Sequence, residues 1–161
     1  MIVNGVPCAV EGEQASRTAH GAMLVAAAAA ASVQESGGEA VFDPSHWMTR
    51  GAAQAAARGR GGAWFVRTGA DEWLLRHYRR GGLPGRILSD RYCWLGEPRV
   101  RSFAEWRLTA HLHSLGLPVP LPIAARYLRD GFTYRCDLIT RRVPGAKPLS
   151  ACLDLAPLPA G

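Results

Sequence analysis

The chain has 161 residues, of which 48% are hydrophobic and 20% are charged, so it is long enough for one globular domain with a buried core. Its formal net charge of +6 favours an anionic partner such as phosphate, nucleic acid or an acidic membrane surface. Its 4 cysteines include no C-x-x-C pair, which argues against a zinc site or a disulfide framework and favours reduced thiols in the cytoplasm.

The first segment, residues 1–39, is rich in alanine, poor in aromatic side chains and ends in the sequence ESGGE. Glycine and serine at that point are typical of a flexible joint, so we predict a partly flexible extension and assign no detailed structure to it. Its apolar stretch, residues 21–33, is too short to span a bilayer. Glu11 and Glu13 precede it where a secretory signal would carry basic residues, which favours a cytoplasmic protein.

From residue 40 to residue 150, short aromatic and β-branched runs alternate with glycine or aspartate turns. Runs of this length predict strands, and adjacent runs predict antiparallel hairpins. The four predicted strands are residues 63–69, 72–78, 122–131 and 132–140. A further strand is expected before Gly59, and residues 81–100 are expected to form a loop-rich insertion.

One segment, residues 102–115, has apolar residues at the spacing of a helix. Ser102 followed by Glu105 fits a capping box at its start, and Gly116 with Pro118 provides a stop. Glu105 has a second interpretation, as the partner of a cation on a neighbouring strand. Together the elements predict an α+β fold, with an antiparallel sheet and one main helix.

A glycine-rich turn precedes the first of these strands, with Gly59, Gly61 and Gly62 in the sequence RGRGG. Glycines let backbone N–H groups approach a phosphate, although a glycine turn is also common in plain hairpins. The next strand carries Arg76 and His77, which strand alternation places on opposite faces. A glycine turn, a cation on the following strand and a glutamate on the next helix form the arrangement by which kinase-like folds hold nucleotide phosphates.

Two other classes of function stay open on these residues. The arginines and aromatic residues would suit a nucleic-acid-binding module, but such a module predicts a continuous basic face, whereas these cations cluster at glycine-rich turns. No nucleic-acid partner is therefore expected. The second alternative is a noncatalytic remnant that binds nucleotide or acidic lipid without transferring phosphate.

Six stretches of the chain match, in order, the motifs of a known family. They are FDPSHW (42–47), GRGGAWFV (59–66), LLRHYRRGGLPGR (74–86), DRYCWLGEPRVRSFAEWRL (90–108), GLPVPLPIAARY (116–127) and YRCDLITRRVPGA (134–146). In this region the chain resembles the 3-deoxy-D-manno-octulosonic acid (Kdo) kinases of lipopolysaccharide assembly. The resemblance implies a cytoplasmic enzyme, peripheral on the inner membrane, that uses ATP and Mg²⁺ to phosphorylate the 4-hydroxyl of Kdo on lipid A.

The resemblance also implies a protein-kinase-like fold in two lobes, of which residues 40–150 would form the small lobe. By motif match, the glycine turn, a cation and a glutamate are expected to bind the nucleotide phosphates, and the backbone of a hinge at 138–141 is expected to contact adenine. The expected nucleotide-binding residues are Gly59, Gly61, Gly62, Arg76, Glu105, Leu138, Ile139 and Thr140. Arg76 stands where kinase-like folds usually carry lysine, and the adjacent His77 is the alternative. Arg79 and Arg80, past the end of the strand, are expected to face the acidic acceptor, Kdo–lipid A, at the anionic inner membrane.

The end of the chain departs from the kinase pattern. Neither an H-x-D-x-x-x-x-N-like loop nor a later aspartate motif that would hold Mg²⁺ occurs before Gly161. Residues 151–161 are therefore interpreted as the truncated start of a second lobe, and no catalytic or metal-binding residue is assigned within the chain. We accordingly expect these 161 residues alone to lack phosphotransferase activity.

Overall fold

The computed structural model describes residues 12–56, 62–69, 71–79 and 90–146, and the backbone of residues 2–3 and 6–7. The strands are β1 (Ile2–Val3), β2 (Val6–Pro7), β3 (Glu13–Thr18), β4 (Gly21–Ala26), β5 (Ala53–Ala55), β6 (Ala63–Thr68), β7 (Asp71–His77), β8 (Tyr92–Cys93), β9 (Pro122–Asp130) and β10 (Thr133–Arg141). The α-helices are α1 (Ala30–Glu35), α2 (Pro44–Met48) and α3 (Arg101–Ser114).

Within the described residues, eight strands form one antiparallel sheet in the order β3-β4-β9-β10-β7-β6-β5, with β8 paired to β10. The predicted hairpins are confirmed, because β6 pairs with β7 and β9 pairs with β10. The strand expected before Gly59 is β5. The predicted α+β class is likewise confirmed.

The N-terminal segment contributes strands that the sequence analysis did not assign. β4 pairs with β9, and β3 forms the edge of the sheet beyond it. Gly21 is required at the start of β4, because a Cβ atom there would lie 2.2 Å from the carbonyl oxygen of Tyr127. The division of the chain at residue 39 stays a prediction, but residues 13–35 are built into the sheet and its cover.

The sheet is covered on both faces. On one face, α3 packs Phe103 and Trp106 against β9 and β10. On the other, α1, α2 and the 3₁₀ turn Gly38–Phe42 bury residues such as Trp47 against Trp73 and Leu75. Because residues 136–140 of β10 lie between the two layers, they are buried on both faces.

The helix predicted at residues 102–115 is confirmed as α3, but its predicted capping box is wrong. Val100 is the N-cap residue, and no side chain caps the helix. Ser102 is instead fully buried and donates a hydrogen bond to the carbonyl oxygen of Arg126 at 3.0 Å. Gly116, with φ +76°, follows the end of the helix as predicted. Among the described helices, none combines the length and the apolar character needed to cross a membrane.

The insertion predicted at 81–100 is described only from Asp90 onward. There it contains β8 and the 3₁₀ turn Glu97–Arg99, which brings the chain to the start of α3. Gly59, Gly61, Arg80 and residues 151–161 lie outside the described residues, so the predictions made for them keep that status.

Candidate functional site

Arg76 and Glu105 meet between β7 and α3. Nη2 of Arg76 forms an ion pair with Oε1 of Glu105, and the hydroxyl of Tyr78 donates to Oε2 of the same carboxylate. Of the two interpretations of Glu105, the structure therefore supports pairing with a cation rather than capping. The side chains of Arg76 and Glu105 are 38% and 34% exposed, so the pair is open to solvent on one side.

The carboxylate in this pair is held ionised. Burial alone would raise the pKa of Glu105, but hydrogen bonds from Tyr78 and Arg76 outweigh it and lower the pKa. Burial and the same carboxylate raise the pKa of Tyr78 well above its ordinary value, so its hydroxyl stays protonated. Glu105 can therefore fix the orientation of Arg76 at neutral pH without taking up a proton.

The ion pair with Glu105 does not use all of the hydrogen-bond donors of Arg76. Its Nε atom is buried and has no hydrogen-bond partner among the described residues. A guanidinium presents five N–H donors in a planar fork that matches two oxygens of a phosphate. Because the side chain is 38% exposed, its solvent-facing N–H groups, rather than the buried Nε, are chemically suited to bind a phosphate that enters from the open side.

Gly62 is the one glycine of the predicted turn that the structure describes, and it lies next to the cross-strand neighbour of Arg76. Ala63, the first residue of β6, is the cross-strand neighbour of Arg76, and the backbone N–H of His77 donates to the carbonyl oxygen of Gly62 at 3.0 Å. Gly62 therefore lies at the end of β7 that carries Arg76. Its phosphate-binding role stays a prediction.

The predicted hinge residues lie inside the sheet. Leu138, Ile139 and Thr140 are buried in β10, where they pair with β7 on one side and with β9 on the other. Their backbone N–H and C=O groups are occupied by these ladders. The fold therefore disfavours adenine binding through their backbone, and the chain leaves the sheet only after Arg141.

His77 points to the opposite face and joins a cluster that sequence reasoning missed. Its Nδ1 lies 2.7 Å from Oδ1 of Asp137, and Nε2 lies 3.5 Å from Oδ2 of Asp90. Arg126 donates to the other oxygen of Asp137 at 2.9 Å. The hydrogen bond to Asp137 raises the pKa of His77 against the effect of burial. Because His77 is engaged there, it is no substitute for Arg76 beside α3.

Arg79 is exposed just past the end of β7, as predicted for a residue that faces a partner. Together with His77, Asp90 and Arg126 it lines an open cavity of about 410 Å³ on the face away from α3. The structure therefore places Arg79 near the Arg76 end of the sheet, but not in contact with Arg76. Its acceptor-binding role stays a prediction.

With this geometry in view, comparison with known proteins identifies the family. The model of the "Lipopolysaccharide kinase (Kdo/WaaP) family" matches residues 44–158. The chain belongs to this family. The resemblance found from the sequence motifs is thereby confirmed.

Three relatives show how far the similarity to this family extends. Each is a 3-deoxy-D-manno-octulosonic acid kinase. The one from Vibrio parahaemolyticus is 40% identical over 75% of this chain and 51% of its own length. Those from Stenotrophomonas maltophilia and Xanthomonas axonopodis pv. citri are 44% and 46% identical, over 68% and 72% of this chain and 44% and 46% of their own lengths.

The chain thus spans about half the length of the relatives it matches. No solved structure matches it. A family of kinases implies ATP, and the partly exposed guanidinium of Arg76, oriented by Glu105, fits a phosphate of that molecule. Mg²⁺ has no such fit here, because the described part of the chain holds no group of three or more histidine, cysteine, aspartate or glutamate residues that could bind a metal.

Proposed function

We propose that this chain is the nucleotide-binding lobe of a kinase that transfers phosphate from ATP to the 4-hydroxyl of Kdo on lipid A. The observation that carries the proposal is the Arg76–Glu105 pair, one strand away from Gly62, in a chain that belongs to the Kdo/WaaP kinase family. In kinase-like folds, such a pair positions a cation against the phosphates of the nucleotide.

In this proposal Arg76 binds the phosphates and Glu105 orients it. Glu105, itself bound by the Tyr78 hydroxyl, holds one end of the guanidinium, so the exposed part of the side chain loses little side-chain entropy when it binds a phosphate. Gly59, Gly61 and Gly62 cover the phosphates through their backbone N–H groups.

The adenine ring takes backbone hydrogen bonds from the segment that follows the sheet. We place this contact at residues 143–145 rather than at 138–140, since the latter are paired on both sides and the backbone N–H groups of Arg142 and Ala146 already donate to Glu72 and Val143. Arg79 and Arg80 lie past the end of β7 and face the phosphates of the acceptor at the cytoplasmic surface of the inner membrane. No step of the proposal depends on a metal held by the described residues.

The pairing of the arginines also bears on the alternative of a nucleic-acid-binding module. Eight arginines of the described residues form ion pairs with carboxylates: Arg17, Arg76, Arg91, Arg107, Arg126, Arg135, Arg141 and Arg142. Their charge is largely neutralised in place, whereas a phosphate backbone needs a continuous excess of free cations. The described surface therefore favours a small anionic ligand over a polyanion.

The test of the proposal is equilibrium binding of ATP to the 161-residue chain by titration calorimetry. Removing a charge-assisted contact costs roughly 1.5–3 kcal/mol, so Arg76→Ala should weaken ATP about ten-fold to a hundred-fold. Arg67→Ala is the matched control, because Arg67 is an exposed arginine on the neighbouring strand β6. Equal affinities for the wild-type chain and Arg76→Ala, or a loss with His77→Ala instead, would contradict the assignment.

A further inference from the structure

The turn between β9 and β10 exposes a large aromatic side chain. Phe132 is 91% exposed, and Leu95, on the segment that pairs with this turn, is 66% exposed. The backbone N–H of Trp94, the residue before Leu95, donates to the carbonyl oxygen of Phe132 at 2.8 Å, so both exposed residues belong to the same turn region. A single exposed apolar residue is ordinary on a protein surface, but two large ones in one turn region offer an apolar tip. We call Leu95 and Phe132 the hairpin tip.

The hairpin tip is held rigidly. Gly131 turns the chain with φ +57°, and Nε of Arg129 donates to its carbonyl oxygen at 3.0 Å. The guanidinium of Arg129 also lies 4.9 Å from the ring centroid of Trp94. Thr133 donates its hydroxyl hydrogen to the carbonyl oxygen of Asp130 at 3.0 Å. Phe132 is therefore presented outward by a braced turn, so little ordering is required when it binds.

The segments that carry the hairpin tip also carry an excess of cations. Arg91 pairs with Asp130 and Arg135 pairs with Asp90, which leaves these four charges balanced. Two further arginines, Arg99 and Arg129, make no ion pair with a described carboxylate, and Arg99 is exposed. An apolar tip within a basic surround is complementary to a bilayer with anionic head groups, where apolar side chains enter the interface and arginines reach the phosphates.

The hairpin tip lies beyond the candidate nucleotide site, at the same end of the sheet. Asp137 is the cross-strand neighbour of His77, and Phe132 lies five residues before Asp137 along β10. At about 3.4 Å per residue, the tip projects roughly 17 Å past the row of residues that includes Gly62 and His77. A membrane at the tip would therefore face the end of the sheet that holds Gly62 and Arg79.

We propose that the hairpin tip inserts into the interface of an anionic lipid bilayer and so docks this lobe on the membrane. The inference rests on the proposed function, which places the phosphate acceptor in a membrane. The occupant of the surface is the bilayer itself, not the Kdo–lipid A head group, because Phe132 and Leu95 offer no polar group to a sugar or a phosphate.

The test is co-sedimentation of the 161-residue chain with vesicles of phosphatidylcholine containing about one third phosphatidylglycerol, without Kdo–lipid A. Burial of two large apolar side chains dominates the expected effect, so the double variant Phe132→Ser, Leu95→Ser should lower the partition coefficient about ten-fold or more. The matched control is Leu115→Ser, Leu117→Ser. These leucines are 63% and 45% exposed and follow α3, at the end of the sheet where β9 begins.

The proposal predicts that the control variant partitions like the wild-type chain and that binding is stronger to the mixed vesicles than to phosphatidylcholine alone. It is overturned if the wild-type chain does not sediment with the mixed vesicles, if the tip variant binds as well as wild type, or if the control loses as much. ATP affinity measured on the same proteins separates the two proposals, because the tip variant should keep it. A chain that docks through the tip but binds no nucleotide would refute the proposed function alone.

Discussion

Arg76 and His77 are neighbours in β7, yet their side chains contact opposite faces of the sheet. Arg76 contacts Glu105 on α3, and His77 contacts Asp137 on β10. Strand alternation predicts the separation from the sequence alone. The partners were harder to predict, because Asp137 is 60 residues from His77 and only the strand register brings them together.

His77 gives the fold a pH-dependent contribution to its stability. The hydrogen bond to Asp137 raises the pKa of His77 above its ordinary value of 6.5, burial opposes the rise, and Asp90 adds to it. Because the folded value lies above the unfolded one, the contribution is full below about pH 6.5 and is lost as the pH rises through the folded value. Arg126 and Arg135 contact the same carboxylates and limit its size.

We therefore expect His77→Gln to reduce the loss of stability in urea unfolding as the pH is raised from about 6 to about 9. His111→Gln, which changes an exposed histidine on α3, is the control and should keep the wild-type profile. The account of His77 fails if the two variants have the same pH profile.

Ser102 and Glu105 show why a sequence motif can match and still describe the wrong contacts. The helix begins at Arg101 rather than after Ser102, so Ser102 already lies in the first turn. Packing of α3 on β9 then buries the Ser102 hydroxyl against the carbonyl oxygen of Arg126. Tertiary packing thus supplies a different acceptor for the serine and a different partner for the glutamate than the local sequence indicates.

At the scale of elements, α3 is tied to the N-terminal strand β3 by a buried ion pair. Nη2 of Arg107 lies 2.6 Å from Oε1 of Glu13, Nε lies 2.9 Å from Oε2, and both side chains are only 8% exposed. Glu105, two residues before Arg107, is the group that orients Arg76. The N-terminal segment therefore helps to position the helix that carries the candidate nucleotide site.

Breaking this pair should loosen the helix. Glu13→Gln leaves the Arg107 charge buried without its counterion, so we expect a loss of roughly 3 kcal/mol in the free energy of unfolding and weaker ATP binding. The control is Glu72→Gln, which removes the carboxylate of the more exposed pair with Arg142 and should change stability by less than about 1 kcal/mol. Equal effects of the two substitutions in urea unfolding would refute the special role of the buried pair.

The strands β6, β7, β9 and β10 could be predicted because each combines aromatic or β-branched residues with a turn signal at its ends. β3 and β4 could not be predicted from their sequences in this way. β4 has the sequence GAMLVA and is followed directly by a run of alanines. That alanine-rich composition indicates a helix or a flexible segment rather than a strand. Its place in the sheet depends on small residues that permit close pairing with β9, and this requirement becomes visible only in the contact between Gly21 and Tyr127.

At the scale of the whole molecule, the candidate nucleotide site and the hairpin tip lie toward one end of the sheet. Gly62, Arg79 and Phe132 all lie toward the end where β7 stops and β10 starts. The opposite end, after Arg141, leads to the residues proposed to contact adenine. This arrangement would place the nucleotide between the two ends, with its phosphates directed toward the membrane side.

The central claim, that ATP phosphates bind on the α3 face of the sheet at Arg76, is tested most directly by nuclear magnetic resonance of the isotope-labelled chain titrated with ATP. The account predicts that the Nε–H signal of Arg76 and the backbone signals around Glu105 shift with saturation, while the side-chain signals of His77 and Asp137 stay in place. Saturating shifts confined to the His77 cluster, with Arg76 unmoved, would contradict it.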